Sequence, residues 1–185
     1  LEGVRRVTPQ PGATTTLRTT AGGSIGGSGV ITATAGTLTF DAGAGNVAFG
    51  NGANDFGTVT VTSGNNVSLT DVNATQFGGA STVSGDLTVN AVGISEAVGA
   101  SLAVTGLSAF NAGAGPITLA NAGNDFTGAV SLNNSGANAV QVTDTNAIVL
   151  GTVSTANNLT VNAVGITQNA GGIAVGGTAT FNAGA

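Results

Sequence analysis

The sequence predicts an all-β protein, a parallel β-solenoid of about seven coils, and three observations support that fold. Several motifs recur at an interval of about 71 residues. Within the repeat lie short segments in which apolar residues alternate with small or polar ones, the pattern of half-buried strands. Clusters of Gly and Asn separate these segments, and both residues tolerate the left-handed backbone that sharp corners need.

The repeat is visible in motifs that return in the same order along the chain. Their copies lie 70 to 73 residues apart, so only small insertions separate them. The octapeptide Leu-Thr-Val-Asn-Ala-Val-Gly-Ile at 87–94 returns unchanged at 159–166. The other recurring motifs begin at Phe40 (again at Phe110 and Phe181), at Asn54 (again at Asn124) and at Thr70 (again at Thr143).

The repeat also suggests how the chain is organised. Residues 1–24 are predicted to be an N-terminal extension or linker, and residues 25–185 a solenoid repeat domain. The repeats lie at about 36–106 and 107–177, and 178–185 begins a partial third copy. Each full repeat is expected to hold three units of about 21 to 26 residues, one coil each. About seven coils at roughly 4.8 Å each predict a rod roughly 35 Å long.

The apolar positions of the alternating segments are predicted to fill the inside of the rod. One coil cannot cover its own apolar side chains, but the coils on either side of it can. Matching Asn residues on successive coils are expected to stack as amide ladders. The predicted core positions are Phe40, Phe56, Phe110, Phe126, Phe181, Leu87, Val89, Leu159 and Val161.

Polar residues beside the strand ends are predicted to form the turns. Two acids persist in both repeats, Asp55 as Asp125 and Asp71 as Asp144. An Asp in such a place usually accepts hydrogen bonds from nearby backbone N–H groups in an Asx-turn. The predicted structural turn residues are Asn54, Asp55, Asp71, Asn73, Asn124, Asp125, Asp144 and Asn146.

The composition argues against most catalytic and cofactor chemistry. Cys, His, Lys and Tyr are absent, which removes zinc and iron–sulfur ligands, activated thiols and amines, and the usual bases near neutral pH. We therefore expect no catalytic, cofactor-binding or metal-binding residues. The three bases, Arg5, Arg6 and Arg18, leave no basic stripe for nucleic acid. The sequence contains no run of about 18 apolar residues, so no membrane span is predicted.

Carboxylates alone can serve a β-helix hydrolase or lyase, but the repeat argues against that use. Asp41 is matched by Asn111 and Asn182, and Glu96 is matched by Gln168. Exchange for a neutral isostere suits hydrogen bonding better than proton transfer. A calcium site is disfavoured because the Gly-Gly-x-Gly-x-Asp pattern is absent. Rows of Thr like those of ice-binding solenoids do not persist in the second repeat.

The recurring motifs resemble the repeat regions of bacterial surface proteins of the filamentous haemagglutinin type. The motifs that carry the resemblance are Asn-Asp-Phe-x-Gly-x-Val at 124–130, Thr-Asp-x-Asn-Ala-x-x-Leu-Gly at 143–151, and the stretches 158–168 and 176–185. The resemblance covers most of 25–185. It implies a right-handed parallel β-helix in a long exported adhesin, two-partner-secreted or autotransporter-like. A secreted location at the bacterial cell surface is expected on the same ground.

Three functional hypotheses follow. The first is a non-enzymatic structural segment, a rigid β-helical stalk in cell adhesion or biofilm. The second is an extracellular filament subunit that stacks end to end, because an uncapped solenoid exposes a strand edge. The third and weaker one is a polysaccharide-active β-helix enzyme. The expected partners are other copies of the chain or flanking coils of a longer chain, and host surface glycans or proteins, with no nucleic acid and no cofactor.

Overall fold

The computed structural model describes residues 10–20 and 22–184, and these residues form β-strands and no helix. Within that part of the chain no helix is present that could span a membrane. The strands are Thr14–Arg18 (β1), Ile25–Gly26 (β2), Thr32–Asp41 (β3), Val47–Phe49 (β4), Asp55–Ser63 (β5), Val67–Thr70 (β6), Thr75–Phe77 (β7), Ala80–Val83 (β8), Leu87–Asn90 (β9), Ile94–Glu96 (β10), Ser101–Val104 (β11), Ser108–Asn111 (β12), Ile117–Leu119 (β13), Asp125–Phe126 (β14), Val130–Asn134 (β15), Val140–Thr143 (β16), Ala147–Thr155 (β17), Leu159–Ala163 (β18), Gly165–Gln168 (β19), Ile173–Val175 (β20) and Ala179–Ala183 (β21).

The strands stack in parallel into three sheets. Sheet 1 has the order β1-β3-β5-β7-β10-β13-β16-β18-β21, and sheet 2 the order β19-β17-β15-β12-β9-β6-β4-β2 with β20 paired to β17. Sheet 3 has the order β14-β11-β8. One turn takes between 18 residues, as from Val59 to Phe77, and 23 residues, as from Ile94 to Ile117. The predicted β-solenoid is confirmed, with about eight turns and a length of roughly 38 Å.

The core follows the alternation of each strand. In β9 the side chains of Leu87 and Val89 are buried, and Thr88 and Asn90 lie on the outer surface. Because every interior strand has a neighbour on each side, the inward side chains form one continuous apolar cluster along the rod. Two pairs of aromatic rings pack against each other in this core: the rings of Phe40 and Phe49 stack with their centroids 5.2 Å apart, and those of Phe110 and Phe126 meet edge to face at 5.9 Å.

The sequence repeat spans about three and a half turns, which corrects the expected three coils per repeat. Phe40 lies in sheet 1, its counterpart Phe110 lies in sheet 2, and Phe181 lies in sheet 1 again. The reason is that turns of 18 to 23 residues are shorter than the predicted units of 21 to 26, so about 71 residues overshoot three turns by half a turn. Successive repeats are therefore related by a half rotation about the rod axis.

Two sequence expectations differ from the observed structure at the ends of the rod. Strand β1 lies inside the segment 1–24 and pairs along its whole length with β3, so sheet 1 begins ahead of residue 25. Phe181, expected in the core, is 45% exposed because its strand β21 has a neighbour, β18, on one side only. The other predicted core positions are buried: Phe40, Phe56, Phe110, Phe126, Leu87, Val89, Leu159 and Val161. Residues 1–9, with Arg5 and Arg6, lie outside the described residues.

Candidate functional site

The polar turn residues come together at two corners on the rod. We define the first Asp corner as Asn54, Asp55, Asp71 and Asn73, and the second Asp corner as Asn124, Asp125, Asp144 and Asn146. In each corner the second Asp accepts a hydrogen bond from the backbone N–H of the residue that follows the first Asp, so the two acids belong to adjacent coils. Because the two corners are equivalent positions in successive repeats, the half rotation puts them on different sides of the rod.

Asn54 ties three consecutive coils together in the first Asp corner. Its Oδ1 accepts a hydrogen bond from the backbone N–H of Ile31 at 2.9 Å. Its Nδ2 donates to the carbonyl oxygens of Phe49 at 3.3 Å and Thr70 at 3.1 Å. The side chain is fully buried. A buried amide whose donors and acceptor are all used acts as a structural cross-link.

Asp71 closes the same corner from the next coil. Its carboxylate accepts hydrogen bonds from the backbone N–H groups of Phe56 at 3.2 Å and Asn73 at 3.3 Å, and from the hydroxyl of Thr75 at 2.6 Å. The amide of Asn73 donates to Asp55 at 2.9 Å. The bond from Asn73 N–H to Asp71 is the expected Asx-turn, and the bond from Phe56 extends it across coils.

The second Asp corner repeats these bonds. Asn124 Oδ1 accepts from the Leu102 N–H at 2.9 Å, as Asn54 does from Ile31. Asp144 accepts from the N–H groups of Phe126 at 3.2 Å and Asn146 at 2.9 Å, and Asn146 donates to Asp125 at 3.3 Å. The same eight predicted turn residues are thus brought together in two matching sets of four.

Two residues make the corners unequal. Position 148, which matches Thr75, is Ile, so Asp144 lacks a hydroxyl donor there. In exchange, Glu96 reaches the second Asp corner: its Oε2 accepts from Asn124 Nδ2 at 3.1 Å and from Asn121 N–H at 3.2 Å. The other oxygen of Glu96, Oε1, is buried without a hydrogen-bond partner.

Burial governs the electrostatics of these acids. Desolvation raises the pKa of Asp71, Glu96 and Asp144 above the usual carboxyl range. The hydrogen bonds that these carboxylates accept favour the charged form and offset only part of the rise in pKa. At Asp71 the charge of the neighbouring Asp55 raises the pKa further. The carboxyl of Asp41 shows the opposite shift, since hydrogen bonds from Ser63, at 2.6 Å, and from Arg18 hold its pKa low.

The geometry of the corners suits cross-linking better than catalysis. Asp71 and Asp144 are only 5% and 3% exposed, and backbone N–H groups already bind their oxygens. A general acid or base has to reach the proton that it transfers. Among residues 10–20 and 22–184, no group of three or more His, Cys, Asp or Glu side chains lies together as a metal site.

Asn side chains on successive coils form amide ladders on the outer surfaces of two sheets. On sheet 2, Asn111 donates to Asn90 at 2.9 Å and Asn133 donates to Asn111 at 2.8 Å. On sheet 1, Asn182 donates to Asn162 at 2.7 Å. These ladders form as expected, and the half rotation places equivalent ladder residues on sheets 1 and 2 in alternation.

Beside each Asp corner lies one further Asn, not predicted from the sequence, whose side chain binds backbone carbonyl groups of the preceding coil. Asn51 donates to the carbonyl of Ser28 at 2.8 Å, and its counterpart Asn121 donates to those of Ala97 at 2.8 Å and Ala100 at 3.0 Å. The available signal was the longer motif Asn-x-x-Asn-Asp-Phe, which occurs at 51–56 and 121–126.

Comparison with known proteins agrees with the repeat architecture. A family model described as repeats of unknown function (DUF5649) matches residues 10–63, 64–133 and 137–185. The middle match runs for about one sequence repeat. No curated protein and no solved structure matches the chain.

Proposed function

The chain belongs to DUF5649, a family of repeats of unknown function, and from its architecture we propose that it is a rigid stalk segment of a secreted bacterial surface protein. In this role the rod acts in cell adhesion or biofilm formation by holding a binding region away from the cell. The role is non-enzymatic and needs no cofactor. Host surface glycans or proteins are the proposed targets of the protein that carries the stalk.

The continuous core is the observation that carries this proposal. Buried side chains follow one another from Ile25 to Ala163 without an internal break. The coils are also joined by buried side-chain bonds such as those of Asn54 and Asn124. A solenoid built in this way resists bending, because bending has to separate neighbouring coils and expose both the core and the corner bonds.

The surface chemistry also supports a passive structural role. Apart from Arg18, no basic residue lies within the described residues, and the outward positions of the sheets carry mainly Thr, Ser and Asn. The resemblance of the repeats to filamentous haemagglutinin-type surface proteins supports the proposed secreted location.

Antibodies raised against the purified chain test the proposal on the organism that carries the gene. We expect them to label intact cells or the extracellular material around them and to reduce attachment to a surface. Labelling that requires cell lysis would overturn the proposed location. Cleavage of a polysaccharide by the purified chain, lost in Asp71→Asn or Asp144→Asn, would overturn the non-enzymatic role.

A further inference from the structure

Sheet 1 carries a row of outward hydroxyl and amide side chains that continues from coil to coil, and we call it the sheet 1 row. Each member lies opposite the next in the parallel register of neighbouring strands. Every strand that contributes to the row has a paired strand on both sides, so the row lies within the stack. At about 4.8 Å per coil it is roughly 29 Å long. Its members are Thr37, Thr58, Gln76, Ser95, Thr118, Gln141 and Thr160.

The half rotation between repeats explains why a comparison of the two repeats does not predict this row. Such a comparison matches Thr37 with Leu107, so the row seems interrupted. Leu107 directly precedes strand β12 of sheet 2, however, and does not belong to sheet 1. Sheet 1 continues instead with Thr118, Gln141 and Thr160, which come from other positions of the repeat. The row therefore becomes visible only in the folded rod.

The hydrogen-bonding groups of the sheet 1 row have no protein partner. None of its side chains bonds to another group among residues 10–20 and 22–184, whereas the Asn side chains of sheet 2 bind one another, as Asn133 binds Asn111. Gln76 and Thr118 are exposed, and the other members are half-buried. Hydroxyl and amide groups both donate and accept hydrogen bonds. The row thus presents donors and acceptors to a bound molecule on every coil.

The chemistry of the row indicates an uncharged occupant rich in hydroxyl groups. No member of the row carries a charge, so an acidic or basic chain gains no ion pair from it. Sugar hydroxyls donate and accept hydrogen bonds in the same way as the side chains of the row. The spacing between coils, about 4.8 Å, is close to the length that one sugar adds to an extended β-1,4-linked chain. Successive sugars can therefore meet successive coils.

The two Gln side chains favour a polysaccharide over ice as the occupant. A row that binds ice has to be even, because ice is a rigid lattice. Gln76 and Gln141 are longer than the Thr residues of the row, and their side chains have several rotatable bonds. A long, flexible amide can follow the hydroxyl groups of a sugar chain, but it disturbs contact with a rigid plane.

We propose that the sheet 1 row binds a neutral, extended β-1,4-linked polysaccharide that lies along the rod, one sugar on each coil. Each contact is weak, and the affinity comes from the number of coils that the sugar chain spans. This binding adds a lateral surface to the stalk proposed above, and it is independent of whether that stalk acts in adhesion.

Isothermal titration calorimetry of the purified chain with cellohexaose and chitohexaose tests the proposal. We expect binding of a hexasaccharide, and at least about tenfold weaker binding of the corresponding disaccharide, which meets only two coils. A β-1,4-linked mannuronate hexamer is the charged control and is expected not to bind. Failure of the wild type to bind either neutral hexasaccharide, or binding of the mannuronate hexamer alone, would overturn the proposal.

Two identical octapeptides supply the matched variants. Thr160→Val removes a hydroxyl from the sheet 1 row, and Thr88→Val makes the same change at the equivalent position on sheet 2. We expect Thr160→Val and Gln141→Leu to weaken binding about threefold to tenfold, and Thr88→Val to bind like the wild type. Circular dichroism confirms that the variants are folded.

Two further results would contradict the assignment of the row. An equal loss of binding in Thr88→Val and Thr160→Val would show that the sugar does not bind to sheet 1. Shaping of ice crystals by the chain, without binding of either hexasaccharide, would assign the row to ice. Antibody labelling of intact cells tests the stalk role separately, so either proposal can fail without the other.

Discussion

Leu87 and Leu159 begin identical octapeptides, yet Leu87 lies in sheet 2 and Leu159 lies in sheet 1. Both side chains are fully buried, and the surrounding Thr, Val and Asn alternate in the same way. The same local sequence therefore forms the same strand on either side of the rod. The half rotation between repeats follows from the number of residues in the turns that separate the two copies.

Deletion of one repeat tests this equivalence. Removal of residues 41–110 joins Phe40 to Asn111, which takes the place of Asp41, and removes about three and a half turns. We expect a shorter rod that keeps a strand-rich circular dichroism spectrum and melts cooperatively, because every strand regains an equivalent neighbour. Removal of residues 41–72 instead joins Phe40 to Asn73 of the first Asp corner, takes out about one and a half turns and brings no equivalent residue into the place of Asp41, so it is expected to disrupt folding. Equal stability of the two deletions would contradict the equivalence of the repeats.

A charge in the core is predicted to break the stack. Val89→Asp and Val161→Asp each place a carboxylate at a fully buried position, and residues 22–184 contain no basic side chain that could pair with it. We expect loss of the cooperative thermal transition in both variants. Thr88→Asp and Thr160→Asp change the outward neighbours on the same strands and should melt close to the wild type. If both Val variants melted normally, the inward assignment of these strands would be wrong.

Asn54 and Asn124 are predicted to be essential cross-links. Replacement by Ala leaves the buried N–H of Ile31 or Leu102 without an acceptor, at a cost of about 1–3 kcal/mol of unfolding free energy. Urea denaturation followed by circular dichroism measures the loss. Asn66→Ala is the control, since Asn66 accepts from Asp86 N–H at the exposed surface, where water replaces it. An equal loss of unfolding free energy at all three positions would show that burial of the hydrogen bond does not determine its contribution to stability.

The buried acids predict that the rod becomes more stable as pH falls from neutral to about 4. Desolvation raises the folded-state pKa of Asp71, Asp144 and Glu96 above their unfolded values. Their stabilising contribution is therefore complete below the unfolded pKa and is lost as pH rises through the folded pKa. Asp41, whose pKa is lowered, acts in the opposite direction and loses its contribution only at more acidic pH.

The variant Asp71→Asn isolates one of these groups. Its amide oxygen still accepts hydrogen bonds from the N–H groups of Phe56 and Asn73. Because the amide is neutral, burial of this side chain no longer carries the desolvation cost of a charge that protonation would otherwise remove. We expect higher stability than the wild type at pH 7 and a smaller gain on acidification, measured by thermal melting across the pH range. Asp86→Asn removes an exposed carboxylate as the control. A steeper pH dependence in Asp71→Asn than in the wild type would refute this interpretation.

Close packing of coils predicts a marked difference between two Gly-to-Ala substitutions. At Gly128 an added methyl group meets the carbonyl of Gly106 in the previous coil well inside van der Waals contact. At Gly52 no atom lies within 4 Å of the added group. We expect Gly128→Ala to lower the melting temperature and Gly52→Ala to leave it nearly unchanged. Similar melting of the two variants would mean that the coils separate more easily than the structure indicates.

Much of the fold could be predicted from the sequence, because coils that stack on one another have similar residues at equivalent positions. Alternation in segments such as Leu87 to Asn90 shows which side chains face inward, and recurrence of Asn54-Asp55-Phe56 as Asn124-Asp125-Phe126 indicates equivalent corners. The cross-coil partners were not accessible. Nothing local to Asp71 indicates that the N–H of Phe56, in the preceding coil, is its donor, or that Glu96 reaches Asn124.

The all-β class, the repeat, the inward-facing residues and the corner residues could be inferred from the amino-acid sequence, because each depends on the order of neighbours along the chain. The number of turns per repeat and the sheet on which each copy lies are visible only in the folded rod. These depend on where the chain comes back to after each turn. A few residues more or less in the loops shift every later strand around the axis. The position of a strand therefore depends on the combined length of all the turns before it, which no local sequence pattern shows.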